Sequence, residues 1–214
     1  MEQGWIHPEW RARLEAAGLD TLQAALAYQD GEFVSVHSRR GRTSRAVLGD
    51  GTAVFVKTDN FTYFKQVCKD LWRLRRPTPN SVKERAAYDW LAARGFTVPQ
   101  VIAWWRRTML GYPGAAAMIT LPVPGRPLDT LVKERGAAAC AAEIAAVEAV
   151  WRRMMEAGCD WPDHKPEHFF VTPELSVGMI DLERMAVLAQ PLPEAEIAAR
   201  LAHFRGMAVN GTRK

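Results

Sequence analysis

The stretch from Asp160 to Val171, Asp-Trp-Pro-Asp-His-Lys-Pro-Glu-His-Phe-Phe-Val, limits the possible folds more than any other part of the chain. A polar turn containing prolines runs into the apolar trio Phe169, Phe170 and Val171. A second short apolar run, Ser176 to Leu182, carries Asp181 near its end and is followed by Glu183. Apolar runs this short, bounded by turn residues, read as strands. Two carboxylates, Asp163 and Asp181, are thus delivered from neighbouring loop and strand ends. Such a pair suits phosphoryl transfer, in which one acid orients or deprotonates the attacking hydroxyl and the other holds the magnesium that neutralises the phosphates. Taken alone, a proline-containing polar turn between strands requires no chemistry, so the upstream sequence decides.

The 214 residues allow one large domain or two small lobes. No apolar run approaches the ~20 residues needed to cross a bilayer, and the first residues lack the basic and apolar regions of a signal peptide. Cys68, Cys140 and Cys159 are odd in number and are not spaced as metal ligands. They read as packing residues of a protein in a reducing cytoplasm. The net charge of +4 is modest, but arginines and lysines crowd residues 39 to 85, and that half should attract anions. Nothing in the sequence calls for a nucleic-acid partner.

In chain order, residues 1 to 30 read as a helical preface, with Gly18 ending a first helix and Asp20 capping a second. From Phe33 the period changes to that of strands. Thr52 to Lys57 follow the tight turn Gly49-Asp50-Gly51, with Phe55 and Lys57 on one face and Val54 and Val56 on the other. Ser38 to Ser44 has one glycine and several arginines, so it either grips phosphates through side chains such as Arg42 or is a solvated basic hairpin. A helix starts near Ser81. There Glu84 has capping-box spacing, yet it also lies on the helical face of Ala87, Tyr88 and Leu91, from which it can reach Lys57. Gly95 ends that helix. Residues 116 to 121 form a buried strand, 137 to 157 a core helix, and 194 to 204 a last helix.

Several features together resemble the lipopolysaccharide core kinases, the Kdo/heptose kinase family. These are Phe55-Val56-Lys57, a basic aromatic insert from Phe61 to Arg76, Lys83-Glu84-Arg85 before an apolar helix, Gly95-Phe96-Thr97-Val98-Pro99, and the two acidic segments. The resemblance spans roughly residues 1 to 190. It implies an α+β, two-lobed protein-kinase-like fold: a helical extension over 1–30, an N-terminal lobe with antiparallel sheet and helix over 31–121, and a reduced helical C-terminal lobe over 122–214. It implies ATP and Mg2+ as cofactors. Asp163 then orients the acceptor hydroxyl and serves as base, and Lys165 neutralises the transferring phosphoryl. Lys57, held by Glu84, grips the nucleotide phosphates together with Arg42, and Leu121 lies where adenine meets backbone. Asp181 holds the metal. His168 stands where kinases carry asparagine, and because Mg2+ prefers oxygen ligands, three roles stay open: binding the metal, positioning a water on it, or steadying Asp163.

Three departures stand out. Trp161-Pro162 replaces the usual His-Arg, Glu183 replaces a glycine, and the tail is short enough to weaken support for the catalytic loop. The implied acceptor is a heptose or Kdo hydroxyl of the lipopolysaccharide core, reached by peripheral contact of the basic insert with an anionic inner membrane. A small-molecule phosphotransferase of the aminoglycoside or metabolite type, and an inactive nucleotide-binding relative, are the rival readings.

Overall fold

The computed structural model describes residues 1–36, 41–59, 68, 72, 78–109 and 112–210. The chain divides into two compact units, Met1–Ala86 with Gln100–Pro122, and Ala87–Pro99 with Val123–Lys214.

The first unit is built on a six-stranded antiparallel sheet. Its strands are β1 (Glu2–Ile6), β2 (Glu32–Val36), β3 (Gly41–Val47), β4 (Ala53–Asp59), β5 (Val101–Met109) and β6 (Tyr112–Thr120), in the order β1-β5-β6-β4-β3-β2. The β3–β4 connection is the expected tight turn. Gly51 adopts φ +84°, its N–H donates to the Leu48 carbonyl at 2.9 Å, and Asp50 Oδ1 accepts the Thr52 N–H. The alternation along β4 holds, with Val54, Val56 and Thr58 buried and Lys57 on the opposite face. Against the buried face lie helices α1 (Arg11–Ala16) and α2 (Leu22–Ala27), whose segment contributes Leu14, Leu19, Leu22 and Ala25 to a core shared with Val54, Val56, Ile102 and Ile119. Burying an aliphatic side chain of this size contributes about 1.5–3 kcal/mol, so this cluster anchors the sheet.

Two expectations need correction here. Residues 1–30 are not helical throughout, because Glu2–Ile6 is an edge strand paired with β5, from Glu2 opposite Arg107 to Ile6 opposite Ala103. That pairing partner lies about a hundred residues away, so local pattern carried no sign of it. The cap of α2 is Thr21, whose Oγ1 accepts the Ala24 N–H at 3.1 Å, not Asp20.

Helix α3 (Asn80–Ala92) starts in the first unit and ends in the second. It closes on Gly95 at φ +75°, where the Phe96 N–H donates back to Leu91, a C-terminal capping bond that satisfies an otherwise orphaned carbonyl. The second unit adds helices α4 (Leu128–Arg135), α5 (Ala141–Glu156) and α6 (Glu194–Asn210). Its strands are short: β7 (Arg126–Pro127), β8 (Cys159–Asp160), β9 (Phe169–Val171), β10 (Val177–Met179) and β11 (Ala186–Val187), arranged as a β10-β9-β7 sheet and a β11-β8 ladder. Trp151, Trp161, Phe169 and Phe204 are fully buried. Their rings meet edge-on, Trp151 with Trp161 at 5.9 Å between centroids and Phe169 with Phe204 at 5.3 Å.

Cys140 and Cys159 are buried packing residues, and burial pushes the Cys159 thiol up to about 12. Cys68 is exposed, against the packing expectation. So is Trp72, at 86%. The rest of the basic aromatic insert expected over 61 to 76, and Ser38 to Arg40, lie outside the described residues. Among the described residues no helix is long and apolar enough to cross a membrane.

Candidate active site

In the first unit, Lys57 projects from β4 and its Nζ lies 2.6 Å from Glu84 Oε2. The Lys57 side chain is 13% exposed and that of Glu84 3%. Capping does not explain Glu84. Helix α3 begins at Asn80, and the Ser81 N–H donates at 2.8 Å to Asp59 Oδ2, a carboxylate from the end of β4. A side chain distant in sequence thus caps the helix and leaves Glu84 to the lysine. Beside them the Arg85 guanidinium lies 3.9 Å from the Trp104 ring centroid, and Trp104 and Lys57 both register with Met118 on β6. The turn of α3 that carries Glu84 is therefore pinned to the sheet on two sides.

Arg42 sits on β3 opposite Thr58, and its Nη2 is buried with no hydrogen-bond partner among the described residues. A buried guanidinium nitrogen left unmatched is costly and favours an incoming anion. The glycine beside it has a purely structural reason: a Cβ on Gly41 would lie 1.8 Å from the Thr58 carbonyl oxygen. Leu121 follows β6, and its N–H donates to Gln100 O at 2.9 Å.

In the second unit, Asp163, Lys165, His168 and Asp181 come together. The β11-β8 ladder pairs Asp160 with Ala186 and Cys159 with Val187. The β9-β10 hairpin pairs Phe169 with Met179, and the Ile180 N–H donates to His168 O at 3.0 Å. These pairings draw the loop carrying Asp163 against the segment carrying Asp181. His168 joins the two: its Nδ1 lies 2.8 Å from the Asp163 carbonyl and its Nε2 3.5 Å from Asp181 Oδ2. Asp181 itself has φ +59°. A non-glycine residue in the left-handed region costs on the order of 1–3 kcal/mol and tends to occur at functional sites. Asp163 also has Lys165 Nζ at 3.5 Å and Arg184 Nη1 at 4.0 Å.

Asp181 offers the oxygen donor that magnesium prefers, beside the Nε2 of His168. A carbonyl can only accept, so Nδ1 of His168 carries a proton. In the neutral ring Nε2 then presents a lone pair toward Asp181 Oδ2 and toward Glu167 Oε1 at 3.7 Å. Lone pair against carboxylate is repulsive unless a proton or a cation lies between them. Among the described residues no three His, Cys, Asp or Glu side chains converge as a metal-holding group.

Sequence reasoning missed several supports of this site. Trp161, at the place of the usual histidine, donates through Nε1 to the Asp181 carbonyl at 3.3 Å and stacks on His168. His164 Nδ1 lies 2.7 Å from Trp161 O, its ring stacks on Trp151, and burial, aided by Arg200 and His203, holds its pKa below the usual value. The short tail does not leave the loop unsupported. From α6, Arg200 reaches Asp160 at 2.6 Å and Phe204 packs on Phe169. No spacing rule links residues forty apart; the departure at Trp161 was the only local signal.

The sequence profile of the lipopolysaccharide kinase (Kdo/WaaP) family matches residues 24–192. The chain belongs to that family. Among solved structures, WaaP in complex with acyl carrier protein aligns with a TM-score of 0.63 at 19% identity, covering 98% of this chain and 81% of that chain. The fold is accordingly the protein-kinase-like one expected from the sequence. No curated protein sequence matches the chain. Membership in this kinase family makes the chain a phosphotransferase by class, and the elements that carry Lys57, Asp163 and Asp181 all lie within the matched segment.

Proposed function

We propose that this lipopolysaccharide kinase transfers phosphate from Mg-ATP to a sugar hydroxyl, of heptose or Kdo, in the lipopolysaccharide inner core at the cytoplasmic face of the inner membrane. The observation that carries the reading is the double engagement of His168, which holds the Asp163 backbone on one side and faces the Asp181 carboxylate on the other. A base and a metal ligand are set in one register by a single ring.

Asp163 takes the proton from the acceptor hydroxyl as its oxygen bonds to the γ-phosphorus of ATP and the bond from that phosphorus to the β–γ bridging oxygen breaks, so that ADP leaves. Lys165, whose ammonium lies beside that carboxylate, offsets the charge of the transferring group. Asp181 and His168 would hold magnesium, which when bound would neutralise the phosphates. In the first unit Lys57, oriented by Glu84, binds phosphate oxygens, and the buried Nη2 of Arg42 adds a donor. The Leu121 carbonyl accepts from the adenine amine.

The test is transfer of labelled phosphate from ATP to purified inner-core lipopolysaccharide, with and without Mg2+. Wild type should label the core. Asp163→Ala should lose at least about a hundredfold in rate, the usual scale of general-base catalysis, while still binding nucleotide. Absence of transfer by wild type, or unchanged turnover in Asp163→Ala, refutes the assignment. The neighbouring WaaP structure holds acyl carrier protein, so co-purification with that protein is the first partner test for this chain.

A further inference from the structure

The Asp163 carboxylate is flanked by two cations, one on each oxygen: Lys165 Nζ lies 3.5 Å from Oδ1 and Arg184 Nη1 4.0 Å from Oδ2. The placement of Arg184 is built into the fold. Leu182 is fully buried, the Met185 N–H donates to Leu182 O at 3.0 Å, and the turn so closed presents Arg184 two residues before the β11-β8 ladder. Asp163 leaves the other strand of that ladder three residues after Asp160.

Stability does not account for the pair. An ion pair with one side chain 61% exposed contributes little, because water screens it and ordering two side chains costs entropy. A guanidinium is a fork of donors shaped for carboxylate or phosphate oxygens. Lys165 stands on the Oδ1 side of the Asp163 carboxylate and the exposed Arg184 on the Oδ2 side, where its remaining donors face solvent and are open to an incoming acceptor.

We infer that Arg184 determines acceptor specificity by binding an anionic group, a carboxylate or a phosphate, carried by the acceptor sugar near the hydroxyl that is phosphorylated. The inference rests on the proposed role of Asp163 as base. It predicts that neutral sugars with the same hydroxyl are poor acceptors.

Binding separates this idea from catalysis. Calorimetry in the presence of Mg-ADP would compare three probes: inner-core oligosaccharide, the same oligosaccharide with its carboxyl groups reduced to alcohols, and the same with its phosphates removed. Wild type should bind the native core about ten- to a hundredfold more tightly than one of the stripped forms, the scale of a charge-assisted contact. Which form loses affinity identifies the anion. Arg184→Ala should erase that preference, Arg184→Lys should restore part of it, and both variants should bind Mg-ADP as wild type does. Equal binding of all three probes by wild type, no binding of any, or an unchanged preference in Arg184→Ala overturns the inference. If the preference holds but no phosphate is ever transferred to the native core, the kinase assignment fails instead.

Discussion

Substitution of Glu84 by glutamine tests the Lys57 pair most directly. At 2.6 Å two unit charges attract by about 6 kcal/mol at an effective dielectric near 20, and desolvating both takes back much of that. The loss on breaking the pair is larger than its net worth, because the Lys57 ammonium, 13% exposed, is left without its carboxylate. Breaking buried pairs typically costs about 3–5 kcal/mol. At roughly 2–4 °C per kcal/mol for a chain of this size, Glu84→Gln should lower the melting temperature by roughly 10 °C. Calorimetric melting of Glu84→Gln, Lys57→Met and the double variant Lys57→Met/Glu84→Leu is the assay. The double variant should recover most of the stability lost by either single change, since no charge then remains buried, and it should bind nucleotide poorly. If Glu84→Gln melts within about 2 °C of wild type, or the double variant loses the sum of the singles, the two residues are not coupled and the phosphate-lysine argument fails.

Further outcomes follow from the second unit. With magnesium and nucleotide at about a hundredfold over Kd, wild type should gain ~2.7 kcal/mol, a rise of roughly 5–10 °C. Asp181→Ala should lose that gain, and a mutant that retains it refutes the metal role. Burial depresses the folded-state pKa of His164, so on acidification the unfolded chain takes up that proton first. Stability should hold well above pH 6.5, fall as pH drops through the ordinary histidine value toward the depressed one, at no more than about 1.4 kcal/mol per pH unit, and level off below. His164→Asn should flatten the slope in urea titrations run across that range; an equal slope in the variant assigns the effect elsewhere. A thiol reagent at pH 8 should modify exposed Cys68 quickly and leave Cys159 untouched, its pKa being near 12. Rapid reaction of Cys159 without unfolding would contradict its burial.

Much of the candidate site was legible because its chemistry is written in short segments. Phe55-Val56-Lys57 states its own alternation, and the side of β4 that carries Lys57 follows from period two. A polar turn ahead of one short apolar run and the end of a second likewise pointed to Asp163 and Asp181. Other expectations failed where a distant group outcompeted a local one. Ser81 and Glu84 have the spacing of a capping box, yet Asp59 arrives from β4 and takes the Ser81 N–H. Glu2–Ile6 has no strong strand pattern, and its conformation is set by the ladder to β5.

The alternation along β4, the tight turn at Gly49-Asp50-Gly51 and the end of α3 at Gly95 were determined by sequence alone, because periodicity and turn chemistry act over a few residues and survive without a partner. The tertiary structure decided which charge faces which. Glu84 belongs to Lys57, His168 spans Asp163 and Asp181, Arg200 braces Asp160, and Arg184 lies beside Oδ2 of Asp163. The contacts of the second unit depend on the β11-β8 and β9-β10 pairings that bring separated segments together, and the Lys57–Glu84 pair on the docking of α3 to the sheet through Asp59. A charge interaction depends on a few ångströms of distance and on local burial, and neither exists until those strands have closed.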